Sequence, residues 1–365
     1  MPLGLYIHVP FCRSKCAYCD FFSFAPDEAA KDEYTEKIIE DIKNWAARLN
    51  RAADTLYFGG GTPSLLGGNR LARIIIAARE GFGLKGAEIT VECNPGDDLA
   101  KDFAILKSAG VNRVSIGAQS GLDNELKSLS RRHNARQIEE TVLAAKNAGI
   151  SNISLDIMLG IPQQTAESLK KTVEFFASLP ISHISAYILK VEKGTPMELR
   201  TGELPDEDAT ADLYLQACRL IEDAGFKRYE ISNFAKSEME SRHNLKYWNC
   251  EEYLGLGPSA HSFLNGRRFC FERDFEGYLA GNDPVEDGAG GDTAERMMLA
   301  LRLEKGIDPI EFCEAESEAH FKLQKHLEKF CKAGLMKQAD GRFSFTHNGA
   351  LVSNECIIQL IECLE

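Results

Sequence analysis

Six times in its first half this chain follows a short β-branched or aromatic run with a stretch of helical periodicity, and few folds accept that rhythm. The runs lie at 3–9 (LGLYIHV), 55–61, 88–93, 113–119, 153–160 and 183–189. Between them, the segment 27–50 puts Tyr34, Ile38, Ile42, Trp45 and Leu49 on one helical stripe. The segments 69–82, 135–149 and 166–180 also read as helices, closed by glycine or proline. Successive strand–helix units imply parallel strands joined by right-handed crossovers. The class is α/β, either a partial (β/α)6 TIM-like barrel or an open doubly wound sheet. In a barrel the chemistry sits at the C-terminal strand ends. Gly59 to Thr62, Glu92, Gln119 and Asp156 fall there.

The rhythm changes after about residue 225. FKRYEISNFA (226–235) reads as one more strand, and 242–263 as loop-rich. The Gly/Asp-rich stretch 280–293 reads as a linker. Helices and a hairpin-like segment follow, in a helix–hairpin–helix order that resembles a winged helix. A chain of 365 residues exceeds what one core usually supports. The expected division is therefore 1–235 for the barrel, 236–292 for an intervening segment and linker, and 293–365 for a smaller α+β winged-helix-like domain.

Net charge is −13, which argues against nucleic acid as a partner. No apolar run is long enough to span a bilayer, and the start of the chain lacks the basic flank of a signal peptide. A cytoplasmic location is expected. Eleven cysteines, an odd number, fit a reducing compartment and point away from a disulfide framework.

Three of them, Cys12, Cys16 and Cys19, lie within eight residues in CRSKCAYC, just after the first strand. A zinc site would want a close fourth ligand, and His8 lies back in the strand. An iron–sulfur cluster held by three thiolates leaves one iron open to a ligand that is not protein. The run FGGGTPS after the second strand would let a ligand approach the backbone at Gly60 and Gly61, with the Thr62 hydroxyl beside it.

CRSKCAYC matches the CxxxCxxC motif of the radical S-adenosylmethionine (SAM) superfamily, with Tyr18 as its aromatic residue. The resemblance implies a [4Fe–4S] cluster on Cys12, Cys16 and Cys19. Its open iron would be chelated by SAM, which the cluster could cleave to a 5′-deoxyadenosyl radical. LYIHVPFCRSKCAYCDF, FGGGTPS, VECNP, RVSIGAQS and LDIMLGIPQQT look like the oxygen-independent coproporphyrinogen III dehydrogenase group. That likeness places SAM contacts on Tyr6, Tyr18, Gly60, Gly61, Thr62, Glu92, Gln119, Arg131 and Asp156. Arg131 would pair with the SAM carboxylate.

Two departures weaken a decarboxylase reading. Phe21 stands where that enzyme typically has one more cysteine, and only eleven residues precede Cys12. HNLKYW (243–248) instead matches the HNxxYW signature of the HemW heme chaperones, and LGLGPSAHS resembles them too. The resemblance implies heme as a third cofactor, with His243 as its ligand and His261 as a second heme-facing candidate. A neutral imidazole can ligate iron. On the residues alone, the favoured reading is structural, with His243 and Asn244 as loop hydrogen-bonders and Tyr247 and Trp248 as packing anchors. The expected function is a heme chaperone that binds cluster, SAM and heme. It would pass heme to hemoproteins such as membrane-bound respiratory cytochromes, through peripheral membrane contact and as a homodimer. The rival is the oxygen-independent coproporphyrinogen III oxidase; radical opening of the heme macrocycle is a third reading.

Overall fold

The computed structural model of the chain describes residues 2–97 and 99–364. Six parallel strands run in chain order through one sheet: β1 (Leu3–Val9), β2 (Ala53–Gly60), β3 (Glu88–Cys93), β4 (Arg113–Gln119), β5 (Asn152–Leu159) and β6 (His183–Ile188). The helices between them are α1 (Glu28–Leu49), α2 (Gly68–Phe82), α3 (Ala100–Ala109), α4 (Asp123–Ser128), α5 (Ala135–Asn147) and α6 (Ala166–Ser178). This is the α/β partial barrel that the rhythm predicts, open rather than closed, since β1 and β6 each pair outward with further strands.

Local chemistry sets the helix ends. Asp27 accepts the Ala30 N–H at 2.8 Å to cap α1. Asn134 and Gln137 form a reciprocal capping box on α5, and Thr165 and Ser168 form one on α6. The α1 stripe buries Tyr34, Ile38 and Ile42 completely. Burying one such side chain contributes about 1.5–3 kcal/mol.

The strands alternate strictly. Leu56, Phe58, Val91, Val114, Ile116, Ile153, Leu155 and Ile157 are fully buried in the apolar cluster that includes the helices. The residues between them face the other way. Register places Tyr57 beside Thr90 and Thr90 beside Arg113. Glu92 sits beside Ser115, and Asp156 beside Ser185. A filled barrel would carry bulky apolar layers at these positions. Here the inner face is polar and encloses a cavity of about 580 Å³.

The second half differs from the sequence reading in three places. FKRYEISNFA makes two short strands, β7 (Lys227–Arg228) and β8 (Asn233–Ala235), rather than one. The chain turns between them because the Glu230 carboxylate accepts the Ser232 N–H at 3.1 Å and also takes the Asn233 amide. After α7 (Glu207–Asp223) and this turn, the stretch read as loop-rich forms α8 (Arg242–Trp248), β9 (Tyr253–Leu256) and β10 (His261–Leu264), with β9 parallel to β1. The segment read as a linker contains an edge strand, β12 (Val285–Ala289), paired with β11 (Arg267–Cys270). Every residue of β12 is exposed, so nothing in its packing requires apolar side chains, and its composition imitates a linker.

Beyond residue 293, α10 (Thr293–Ala300), preceded by the short α9 (Phe275–Leu279), leads to α11 (Glu318–Lys332), the hairpin β13 (Met336–Ala339) and β14 (Arg342–Phe345), and two final helices. Met297, Leu323, Leu327, Phe343 and Leu360 form a second apolar cluster there. Arg228 ties it to the barrel, donating to Glu304 at 3.1 Å and to the Phe345 carbonyl at 2.6 Å.

Candidate functional site

The cysteine loop is held at its base and at its middle. Phe11 is fully buried among Phe24, Tyr34 and Phe275, with ring centroids 5.2–5.8 Å away. Cys12 N–H donates to the Phe24 carbonyl at 2.9 Å, and Phe24 N–H to the Pro10 carbonyl at 2.9 Å. At mid-loop, Ala17 is buried against Leu129, Ile161 and Met197, and its carbonyl accepts the Met197 N–H at 2.8 Å. Cys12 therefore springs from one anchor, while Cys16 and Cys19 flank the other. All three thiols are half-buried and line the large cavity inside the barrel.

The glycine run packs against this loop. A Cβ on Gly61 would lie 2.5 Å from the Phe11 carbonyl oxygen, and one on Gly60 2.7 Å from the His8 ring. Gly60 also has φ +105°, a conformation that favours glycine. Both glycines border the cavity, so their smallness serves the loop's seating as well as ligand approach. Thr62 N–H donates to the Phe11 carbonyl at 2.6 Å, and its hydroxyl donates to Cys12 Sγ at 3.6 Å. His8 is bonded by Tyr6 at 3.1 Å and to the Phe22 carbonyl at 3.3 Å, so its nitrogens are turned away from the thiols.

The cavity collects Tyr18, Gly60, Gly61, Thr62, Glu92, Gln119, Arg131 and Asp156 with the three cysteines. Tyr6 is outside it, bonded to His8 and stacked on Tyr57 and His243. Gln119 sits in the left-handed region at φ +69° where β4 bends off the sheet. The resemblance assigns Arg131 to a ligand carboxylate. In this structure its guanidinium donates to protein acceptors: Cys16 Sγ at 3.3 Å, Tyr18 Oη at 3.5 Å, Asn94 Oδ1 at 2.6 Å and the Gly117 carbonyl. Burial pushes the Glu92 carboxyl up to about 7 and the Asp156 carboxyl up to about 6. Tyr57 Oη donates to Glu92 at 2.7 Å. Both acids can hold or release a proton near neutrality, and both can accept from a ligand amine or hydroxyl.

The HNLKYW motif lies elsewhere. It forms α8, whose first N–H groups (Arg242 and His243) both donate to Glu88 at 3.0 Å at the start of β3. His243 is 1% exposed, with Nδ1 bonded to Thr55 at 2.8 Å and Nε2 to Tyr247 at 2.8 Å. Burial drives its pKa down to about 3, so the ring is neutral. Thr55 and Glu88 belong to the N-terminal ends of their strands, so α8 closes the barrel at the end opposite the cysteines. Asn244 is the motif residue that lines the cavity, and His243 is not. His261 is exposed on β10.

The residues fit a cluster and its organic ligand. Three thiols border one cavity, two of them already receive hydrogen bonds, and the glycines keep the loop close. Among the described residues no three ligating side chains converge on one point, as a single ion would require. A cluster is wider, each thiolate meeting its own iron. When bound there, a cluster would offer a one-electron redox centre with an iron open to that ligand. Sequence reasoning missed Asn94, which donates to Thr62 Oγ1 at 2.8 Å, as well as the anchor Ala17 and the buried Arg113. Arg113 was findable: it opens the run RVSIGAQ in phase with Ser115 and Gly117, the inward set.

Comparison with known proteins agrees with this arrangement. Residues 6–176 match the Radical SAM superfamily. The heme chaperone HemW of Escherichia coli (strain K12) is 34% identical over 98% of this chain and 97% of that protein. HemW of Bacillus subtilis (strain 168) is 33% identical over 96% and 97%. The solved structure of coproporphyrinogen III oxidase (HemN) from E. coli, a radical SAM enzyme, superposes with a TM-score of 0.83 at 22% identity, covering 100% of this chain and 90% of that one. That likeness extends the shared fold from the barrel to the C-terminal helices. With the cysteine trio, the polar barrel and α8 all carried on one chain that aligns end to end with these chaperones, the protein belongs to the HemW heme chaperone family of the radical SAM superfamily.

Proposed function

We propose that this protein is a heme chaperone. It holds a [4Fe–4S] cluster on Cys12, Cys16 and Cys19, binds SAM in the cavity through residues that include Thr62, Glu92 and Asp156, and carries heme to recipient hemoproteins. The supporting observation is the near-full-length identity to curated heme chaperones, on both halves of the chain. In this reading the protein's own residues position and shield. Thr62 and Arg131 stabilise thiolate charge by hydrogen bonding. Glu92 and Asp156 accept ligand protons.

His243 enters this proposal as the iron ligand on one condition. Its Nε2 must exchange Tyr247 Oη for iron, because both ring nitrogens are bonded beneath α8. Heme titration of the anaerobically reconstituted protein, with and without SAM, tests the whole. Saturable binding is expected. Tyr247→Phe should tighten it by releasing Nε2, and His243→Ala should remove the nitrogen-ligand spectrum. Equal heme uptake and an equal spectrum in all three proteins would remove His243 as the ligand. Conversion of coproporphyrinogen III to the divinyl product by reduced protein and SAM would overturn the chaperone reading in favour of the oxidase.

Membrane-bound respiratory cytochromes are the recipients we favour, reached from the cytoplasm by peripheral contact. Among the described residues no helix is long and apolar enough to cross a membrane. Homodimer formation is proposed on two exposed apolar side chains near the cysteine loop, Phe21 at 63% and Leu199 at 90% exposure. Light scattering that returns a monomer with and without SAM would remove it.

A further inference from the structure

The barrel cavity contains a buried cation with hydrogen-bond donors that no described residue meets. Arg113 is 2% exposed, on the inner face of β4, and lines the cavity. Its Nε and Nη1 are enclosed and have no hydrogen-bond partner among the described residues. The carboxylates around it are engaged elsewhere. Glu88 takes the Arg242 and His243 N–H groups, both at 3.0 Å, and Glu92 takes the Tyr57 hydroxyl at 2.7 Å. Asp156 faces the Ser115 hydroxyl at 3.5 Å. Glu88 and Asp156 favour its charge through space, yet enclosed donors without an acceptor still cost free energy that a hydrogen-bonding partner would recover. Arg113 stands early in its strand, two inward positions before Gly117, so it lies at the floor rather than at the cysteine rim. Asn244 reaches the same cavity from α8, which closes that end. The lining carries more Arg and Lys than Asp and Glu, in a chain whose net charge is −13. This lining draws an anion into the barrel, and Arg113 is its cation at the floor.

We propose that Arg113, with Asn244 beside the same floor, forms a carboxylate site for the ligand that fills the barrel. The site rests on the heme-chaperone reading, in which a propionate of heme supplies that chemistry; the amino-acid carboxylate of SAM belongs with the open iron at the cysteine rim. Arg131, the arginine at the rim, already serves four protein acceptors. Arg113 is the guanidinium left with donors to give, and a charge-assisted bond to a ligand oxygen supplies what its surroundings lack.

The test measures preference for an acid over its neutral counterpart in the full, cluster-reconstituted protein. The probes are heme and heme dimethyl ester. The parent is expected to favour the acid by about tenfold. Arg113→Gln should erase the preference, while Arg113→Lys keeps part of it. Asn244→Leu, which leaves the guanidinium in place, should lower the same preference severalfold, and it carries the test should Arg113→Gln fail to fold. Undiminished preference in every folded variant would mean that Arg113 is satisfied by internal water only, and overturns the site. A parent that binds neither heme nor SAM overturns the functional reading itself, a result distinct from binding without acid preference.

Discussion

Arg131 donates to Cys16 Sγ at 3.3 Å while its other terminal nitrogen holds Asn94 Oδ1 at 2.6 Å. One guanidinium thus joins the cysteine loop to the turn after β3. Asn94 passes the link on, donating to Thr62 Oγ1 at 2.8 Å, and Thr62 donates to Cys12 Sγ. Two of the three thiols are positioned through one hydrogen-bonded chain that crosses three loops. Arg131→Met should break that chain while preserving much of the side-chain volume. The expected result is a loss of about 1–3 kcal/mol of stability, together with under-filled cluster sites. Iron and sulfide assayed per chain after anaerobic reconstitution check it; full occupancy in the variant would show that the chain of bonds is dispensable.

The glycine run yields a sharper test. Gly61→Ala pushes a methyl to 2.5 Å from the Phe11 carbonyl oxygen, which is backbone and cannot swing aside. Gly67, by contrast, has open space where a Cβ would lie and serves as a control, although its φ of +82° adds strain to any substitution. Overpacking of this kind costs typically about 1–3 kcal/mol. Gly61→Ala should therefore lower stability and displace the segment carrying Cys12, and lose iron as well. Gly67→Ala should lower stability alone. Equal iron content in Gly61→Ala and the parent would sink the seating argument.

The inner acids predict a pH effect. Glu92 titrates at about 7 and Asp156 at about 6 in the fold, above the ordinary carboxyl values of 4.5 and 3.8. A raised folded pKa means the native state holds the proton more tightly than the unfolded chain. That contribution is fully present below the ordinary pKa and is lost as pH rises through the folded one. Ligand-free protein should thus lose stability between about pH 4.5 and 7 from this source. Glu92→Gln removes part of the loss: relative to the parent it should gain on the order of 1–2 kcal/mol as pH goes from about 5 to about 8. Urea unfolding at the two pH values measures it, and a parent–variant difference that does not change with pH would refute the assignment.

The sequence made the barrel legible because its strands pack apolar residues on one face only, so each run carried both a β signal and an alternation. Helices α1, α2, α5 and α6 were equally plain, their stripes and caps being local. The cysteine trio and FGGGTPS announced their site because spacing survives without tertiary context. What stayed hidden depends on neighbours far along the chain. The buried state of His243 follows from Thr55, 188 positions away, and from Tyr247. The exposed strand β12 carries no apolar signal, and the turn at Glu230 comes from side-chain acceptors rather than from glycine or proline. The bonds of Arg131 stayed hidden too, because its protein partners sit on three other segments.

Buried histidines supply the last prediction. His243 is held down to about 3 and His8 to about 4, in each case chiefly by burial, against an ordinary value of 6.5. His133 is lowered to about 4 for the same reason, and His183, bonded to Ser154 at 2.7 Å and Tyr229 at 2.8 Å, is held well below its ordinary value. Each stays neutral in the fold while the unfolded chain takes up a proton below pH 6.5. Their contribution is complete above 6.5 and drains away as pH falls toward the folded values. The protein should destabilise steeply on acidification from about pH 6.5 to about 4.5, opposite in sign to the carboxyl effect and larger, because four groups act together. His243→Gln retains hydrogen-bonding capacity toward Thr55 and Tyr247 but cannot titrate. It should cost about 1–3 kcal/mol at about pH 7.5 and shallow the acid limb by roughly one proton's slope, about 1.4 kcal/mol per pH unit. Unfolding free energies across that range read both numbers, and an acid limb of unchanged slope in His243→Gln would mean that this ring is not held neutral by the fold.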